Sequence, residues 1–165
     1  MSSNGFLTFQ DAGGTASLNQ SIPTETGPNA FVAPYWDDLT GRRGQVFYAT
    51  LGTQPSRRFV VQWHRFRRVG FSGTRLTFEA ILHEGSNQIS FHYGPMTYGD
   101  TDDFQGGSAT VGIENHEGTA GEQLSFDAPN IRQGASAYFL PPLRDDTSSY
   151  LAVGLSEGFE DISHI

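Results

Sequence analysis

Two adjacent carboxylates follow a short apolar run in FVAPYWDDL, the stretch from Phe31 to Leu39. A glycosidase needs two carboxylates several ångströms apart across a cleft, but Asp37 and Asp38 are neighbours in the chain. On an extended strand neighbouring side chains point to opposite faces, so these two cannot flank one glycosidic bond. We therefore predict that both accept hydrogen bonds from backbone N–H groups at the turn that ends a strand.

A second group of carboxylates lies in the glycine-bounded segment YGDTDDFQGG, residues 98–107. Asp100, Asp102 and Asp103 offer hard oxygen ligands of the kind that calcium prefers, although the segment does not match the helix–loop–helix calcium pattern. The alternatives are a calcium site and an ordinary solvated turn. With calcium bound, exposed aromatic rings would provide stacking platforms for a sugar, and the candidates are Trp63, Tyr98 and Phe104.

Two histidines and a glutamate are predicted to share one face of a hairpin. In RLTFEAILHEGSNQISFHYG the alternation places His83 and His92 on the outer face, with Glu79 diagonally near His92. Two imidazoles and a carboxylate can ligate a transition metal. The alternative that we favour is a pair of solvent-exposed histidines on a polar sheet face.

A basic cluster follows the strand predicted in RRFVVQWHRFRRVGF. Arg65, Arg67 and Arg68 could bind an anionic glycan or phosphate. In an acidic chain, however, we expect them to pair with carboxylates at the rim of the sheet.

The composition excludes several classes of chemistry. The 165 residues include no cysteine and no lysine, so disulfides, thiolate chemistry and lysine Schiff bases are not available. The net charge of −8 disfavours a general nucleic-acid binder. No apolar run is long enough to cross a membrane, no cofactor other than calcium is indicated, and the length predicts one domain.

Short runs rich in Phe, Val, Ile, Tyr and Thr alternate with clusters of Gly, Asn, Asp, Ser and Pro. This rhythm predicts an all-β fold of short strands joined by tight turns, a sandwich or a barrel. The predicted strands are Gly5–Phe9, Ala30–Tyr35, Gln45–Thr50, Arg58–Phe66, Arg75–Glu84, Gln88–Tyr93, Ser108–Glu114, Gln123–Phe126, Ser136–Leu140 and Tyr150–Leu155. In the hairpin predicted from Arg75–Glu84 and Gln88–Tyr93, we expect Leu82 to lie opposite Phe91. This register places the apolar side chains of both strands on the same face of the sheet.

Five blocks in one order resemble repeated β-sandwich modules of bacterial extracellular proteins, and their middle is similar to the nidogen-like domain. The blocks are SSNGFLTF, VAPYWDDL, GQVFYATLGTQPSRRFVVQWHRF, LTFEAILHEGSNQISFHYG and GSATVGIENHEGTAGEQLSF, within about Ser2 to Leu140. The resemblance implies an all-β antiparallel sandwich, jelly-roll-like or nidogen-like, with an extended C-terminal tail. It also implies a secreted or surface module used in adhesion or attached to larger exoenzymes. It carries over no catalytic residues.

The chain departs from the resembled modules at its ends. In the resembled modules, a segment similar to GFEDIS and then two or three strands precede the block SSNGFLTF. In this chain GFEDISHI stands at the C-terminus, residues 158–165. Three explanations remain open. The chain is an excerpt of a tandem array, or a circular permutant whose tail folds back into its own sheet, or a module whose tail completes the sheet of a neighbour.

The tail is predicted to be separate from the sandwich. We expect a domain over residues 1–140, a proline-containing linker over 141–149 and a tail over 150–165 that serves as a donor strand. In YLAVGL, residues 150–155, the side chains on both faces of the predicted strand are apolar. We therefore expect the strand to be buried, in this subunit or in the next. The predicted assembly residues are Tyr150, Leu151, Val153, Leu155, Phe159 and Ile162.

Two functions follow as hypotheses. The first is a non-enzymatic structural or adhesive module, extracellular or at the cell surface, whose partners are other copies of itself or neighbouring modules and which forms a filament by strand exchange. The second is a calcium-dependent module that binds a glycan or another ligand.

Overall fold

The structure is a computed structural model. It describes residues 1–10, 14–97, 105–141, 150–155 and 159–164, and for residues 150–155 it describes the backbone. Within these ranges the chain forms eleven strands and no α-helix. The strands are β1 (Leu7–Thr8), β2 (Phe31–Trp36), β3 (Leu39–Thr40), β4 (Gln45–Leu51), β5 (Arg58–Arg68), β6 (Leu76–His83), β7 (Ile89–Tyr93), β8 (Thr110–Glu114), β9 (Gly121–Phe126), β10 (Ala135–Leu140) and β11 (Tyr150–Leu155).

The strands form two antiparallel sheets that pack face to face. The smaller sheet has the order β1-β2-β8-β9, and the larger has the order β11-β10-β7-β6-β5-β3, with β4 also paired to β5. The predicted all-β sandwich is therefore confirmed. Nowhere in the described ranges is there a helix with the length and apolarity that a membrane crossing requires.

The core between the sheets is centred on a stack of aromatic rings. The rings of Trp63 and Phe78 are stacked with centroids 5.2 Å apart, and Tyr35 of the smaller sheet stacks on Phe78 at 5.4 Å. Trp63 is fully buried, and its indole N–H donates to the Ser2 carbonyl at 2.8 Å. The prediction that Trp63 is an exposed platform for a sugar is therefore wrong, because its parity on β5 points it into the core.

Strand β2 of the smaller sheet is buried on both faces, and a bulge in it decides which face each of its last residues reaches. The pairing of β2 with β8 shifts between Ala33 and Trp36, next to Pro34, which has no N–H to contribute to a ladder. Tyr35 therefore faces the core, whereas Trp36 packs with Phe6 on the opposite face. There the Trp36 indole donates to the Ala16 carbonyl at 3.0 Å, which holds the preceding loop over the sheet.

The β6–β7 hairpin has the predicted faces but a different register. Leu82 pairs with Ile89 rather than with Phe91, which pairs with Ala80. The loop is longer than predicted because the Asn87 N–H donates to the His83 carbonyl at 3.1 Å, with Asn87 at a φ of 54°. A shift of two residues preserves parity, so the shared apolar face remains correct.

The last described strand is part of the larger sheet. β11 pairs antiparallel with β10 along its whole length, from Leu140 opposite Tyr150 to Ala135 opposite Leu155. Most of the predicted linker, residues 142–149, lies outside the described residues. One strand, β3, was not predicted.

Substitution of Phe78 by alanine is expected to lower the free energy of unfolding by about 3–5 kcal/mol, because it removes the central ring of the stack and leaves a cavity. The matched control is Phe9→Ala, since Phe9 is 63% exposed and Phe78 is 0% exposed. Urea unfolding followed by tryptophan fluorescence measures both. Similar losses in the two variants would contradict the central place of the stack.

Candidate docking site on the larger sheet

The face of the larger sheet that points away from the core carries buried polar side chains. Strand alternation places Gln62 of β5, Glu79 of β6, and Ser90 and His92 of β7 on this face. Gln62, Glu79 and Ser90 are each 0% exposed. Buried polar groups are tolerated when they are hydrogen-bonded, so their partners show what this face holds.

A C-terminal segment, residues 159–164, lies over β5 and β6 on this face. It begins with Phe159, whose ring lies against Gly94 at the end of β7. A Cβ atom added at Gly94 would lie 2.4 Å from Cζ of Phe159, far inside any real contact. The missing side chain at position 94 is therefore what admits the ring.

Glu160 is held by both its backbone and its side chain. Its N–H donates to Oε1 of Glu79 at 2.9 Å, and its carbonyl accepts from Nε2 of Gln62 at 3.0 Å. Its carboxylate forms an ion pair with Arg58. Two side chains of the sheet thus satisfy both backbone groups of one residue, as a neighbouring strand would.

Ile162 provides the apolar anchor of the segment. It is 3% exposed and packs against Val60 and Ile81. Half-buried side chains of β4 surround this seat, namely Phe47, Ala49 and Leu51. Burial of one such side chain contributes roughly 1.5–3 kcal/mol, so Ile162 fixes the position of the segment.

Asp161 shapes the segment between its anchors. Its Oδ1 accepts from the Ser163 N–H at 3.0 Å, which closes a local turn. The hydrogen bonds from Ser163 hold the pKa of Asp161 below its ordinary value.

The carboxyl group of Glu79 is neutral at pH 7. Burial raises its pKa to about 8, the nearby charge of Asp161 adds to the increase, and the hydrogen bond from Gln62 and the charge of Arg58 oppose it. Glu79 lies directly opposite His92 in the β6–β7 ladder. A neutral carboxyl group accepts the Glu160 N–H without adding a negative charge beneath an acidic segment.

The two histidines share a face as predicted, but His92 is buried rather than exposed. Nε2 of His83 and Nε2 of His92 each lie 2.9 Å from the Ser90 hydroxyl, and Nδ1 of His92 lies 2.9 Å from the Ser136 hydroxyl. Burial lowers the pKa of His92 to about 4, so it is neutral. Within the described ranges no three His, Cys, Asp or Glu side chains are grouped to hold a metal.

The adjacent aspartates face apart as predicted, with Asp37 buried and Asp38 exposed. Asp37 accepts from the Asp38 N–H at 2.7 Å and from the Ser108 hydroxyl at 2.6 Å, and it pairs with Nε of Arg68 at 3.3 Å. Burial raises its pKa, against the opposing effects of Ser108 and Arg68. Asp37 therefore braces the end of β2.

Two of the predicted assembly residues, Phe159 and Ile162, contact the sheet. The other four lie on β11, of which the backbone is described; they are Tyr150, Leu151, Val153 and Leu155. The predicted calcium ligands and two of the predicted platforms lie outside the described residues, namely Asp100, Asp102, Asp103, Tyr98 and Phe104. Sequence reasoning missed the residues that receive the segment, Arg58, Gln62 and Gly94, and gave Glu79 a different role.

A family model described as NIDO related matches residues 1–139. The chain belongs to this NIDO-related family. The resemblance expected from the sequence blocks is therefore confirmed. No curated protein and no solved structure matches the chain at a significant level. The match includes the docking face, the side of the larger sheet that receives the segment through Arg58, Gln62, Glu79 and Gly94. Strand β11 and residues 159–164 lie beyond the match.

Replacement of Glu79 by glutamine is expected to remove a pH dependence of stability. The folded chain holds the Glu79 proton up to a pH of about 8, whereas the ordinary value is 4.5. The free energy of unfolding should therefore fall as the pH rises through this window, by about 2 kcal/mol between pH 6.5 and 9. Below that range His92 acts in the opposite direction.

Urea unfolding of wild type and Glu79→Gln across that pH range measures the difference in slope. The titratable or charged groups described around Glu79 are Arg58, Glu160, Asp161 and the neutral His92. Arg58→Gln serves as a control that leaves the Glu79 proton in place. Parallel slopes for wild type and Glu79→Gln would show that Glu79 is already ionised.

A methyl group at Gly94 is expected to displace the C-terminal segment. In Gly94→Ala the added Cβ would overlap the Phe159 ring, at 2.4 Å from Cζ. In Gly73→Ala the added Cβ has no heavy atom within 4 Å. We expect amide hydrogen exchange at residues 159–164 to become faster in Gly94→Ala and to stay unchanged in Gly73→Ala. Equal protection in both variants would mean that the ring does not seat the segment.

Proposed function

We propose that the chain is a non-enzymatic structural or adhesive module that works outside the cell and joins to other copies of itself through its C-terminal segment. Membership of the NIDO-related family and the all-β fold support a module of this kind. The observation that carries the proposal is the capture of Glu160 by Gln62 and Glu79 on a sheet face within the family match.

The docking face and the docked segment are separable parts of the chain. The face is built from β4 to β7, and the segment follows the nine residues 141–149 and then β11. Nine residues in extended form span about 30 Å. That reach is enough for β11 and residues 159–164 to leave their own sheet and occupy the same positions on a neighbouring copy.

Exchange would replace contacts within one chain by identical contacts between two chains, so it costs little beyond association. β10 favours such exchange, because without β11 it would present the backbone groups of six register positions without partners. A head-to-tail exchange does not close on itself and produces an open filament.

The calcium-dependent binding of a carbohydrate stays a prediction. The loop at residues 98–104, on which it depends, lies outside the described residues.

Two single-cysteine variants distinguish exchange from folding back. Leu140 and Tyr150 are directly opposite in the β10–β11 ladder, a separation that a disulfide can bridge. The natural chain has no cysteine. A mixture of Leu140→Cys and Tyr150→Cys should therefore form a disulfide-linked heterodimer when β11 pairs with the β10 of another copy, as seen on a non-reducing gel.

The double variant reports pairing within one chain, since its two cysteines can link in the same molecule. The pair Ser86→Cys with Tyr150→Cys controls for random collision, because Ser86 lies in the β6–β7 loop and not opposite β11. A mixture that yields no more heterodimer than this control, together with an intramolecular link in the double variant, would overturn the exchange.

A further inference from the structure

Six of the ten arginines gather around one end of β5. They are Arg42 and Arg43 in the β3–β4 turn, Arg65, Arg67 and Arg68 on β5, and Arg75 just before β6. Strand pairing brings them together, because Thr40 lies opposite Arg67, Gln45 lies opposite His64 and Leu76 lies opposite Phe66. We call this group the arginine cluster.

A bulge in β5 turns the arginines outward. The β5–β6 register shifts between Trp63 and Phe66, and Arg65 has a φ of 57°. Trp63 and Phe66 both face the core, so the extra residue keeps Arg65 and Arg67 on the outside. A close approach of Gly44 fixes the bulge, since a Cβ there would lie 2.5 Å from the His64 carbonyl oxygen.

Among the described residues, few carboxylates pair with the cluster. Arg68 pairs with Asp37, but within the described part of the chain no ion pair involves the other five members. Nε of Arg67 is buried without a hydrogen-bond partner. The pKa of Arg67 is lowered, first by desolvation and then by repulsion from Arg75, Arg43, Arg42 and Arg65.

This arrangement differs from the other end of β5. There Arg57 and Arg58 each pair with a carboxylate, Glu84 and Glu160 respectively. In a chain with a net charge of −8, carboxylates are abundant, yet among the described residues the cluster forms one ion pair. Of the three arginines expected to pair with carboxylates at the rim, Arg68 does so. Arg65 and Arg67 form no ion pair with a described carboxylate, and among the described residues their guanidinium groups are left to an external anion.

Two depressions expose the guanidinium groups. One, of about 290 Å³, is lined by Arg65, Arg75, His64, Thr77 and the carboxylate-bearing Asp161, among others. The other, of about 260 Å³, is lined by Arg42, Arg67 and Arg68 beside Phe71. Phe71 is 38% exposed, and the Arg68 guanidinium lies 4.7 Å from the centre of its ring.

We propose that the arginine cluster binds an acidic polysaccharide through its sulfate or carboxylate groups. The planar guanidinium fork matches both groups with paired hydrogen bonds. Two depressions at one end of the sheet fit a polymer that repeats its charge. The choice of a polysaccharide over a nucleic acid rests on the proposed function, which places the module outside the cell, and the oligothymidylate experiment below tests it.

The proposal is tested by binding of the full chain to immobilised heparin and to polygalacturonate, with neutral dextran as the uncharged control. We expect both acidic polymers to bind, with an affinity that falls steeply as salt increases, and dextran not to bind. Arg65→Gln combined with Arg67→Gln should weaken binding at least tenfold. Arg132→Gln, outside the cluster, should leave it unchanged.

A second double variant controls for misfolding, and two further anions test which class of ligand binds. Because Arg65 lies in the bulge, a second variant with Arg42→Gln and Arg43→Gln in the exposed turn should give a similar loss. Binding that survives in both double variants would overturn the site. A single-stranded oligothymidylate that binds as tightly as heparin, or inorganic sulfate that competes at the same sulfate concentration, would overturn the assignment to a polysaccharide.

Discussion

The bulge in β5 decides which side chains reach the core along the longest of the described strands. Before it Val61 and Trp63 point inward, and after it Phe66 does so as well. Uninterrupted alternation from Trp63 would place Phe66 in solvent and Arg65 and Arg67 in the core. One extra residue therefore protects the central aromatic stack and concentrates positive charge on the outside.

Periodicity predicted which side chains share a face, but not what covers each face. The hairpin around Ala80 and Phe91 could be predicted because its apolar residues recur at every second position. Trp63 has the same parity as the buried Val61, and this signal could have placed it in the core. His92 was expected in solvent because a polar sheet face is normally wet, and nothing local indicates that this face is covered.

The residues of the docking site were harder to predict because their partners are distant in sequence. Glu160 meets Gln62 and Arg58 across about a hundred residues, separations of 98 and 102 respectively. Asp37 likewise meets Ser108 across 71 residues. A strand pattern records the local alternation and carries no information on such pairs. The unusual local features were a glutamate within an apolar strand, at Glu79, and a glycine directly after one, at Gly94.

Both ion pairing and apolar packing hold the C-terminal segment on the sheet. Its two acids are directed to different cations, Glu160 to Arg58 and Asp161 toward the depression that holds Arg65. In the proposed exchange, long-range attraction of this kind would speed the encounter of segment and sheet and exclude basic segments, whereas the seat of Ile162 would set the register. The neutral Glu79 completes the site without opposing that attraction. Asp161 lines the same depression as Arg65 and Arg75, so the acidic polymer proposed for that depression would compete with the docked segment for the same positive charge.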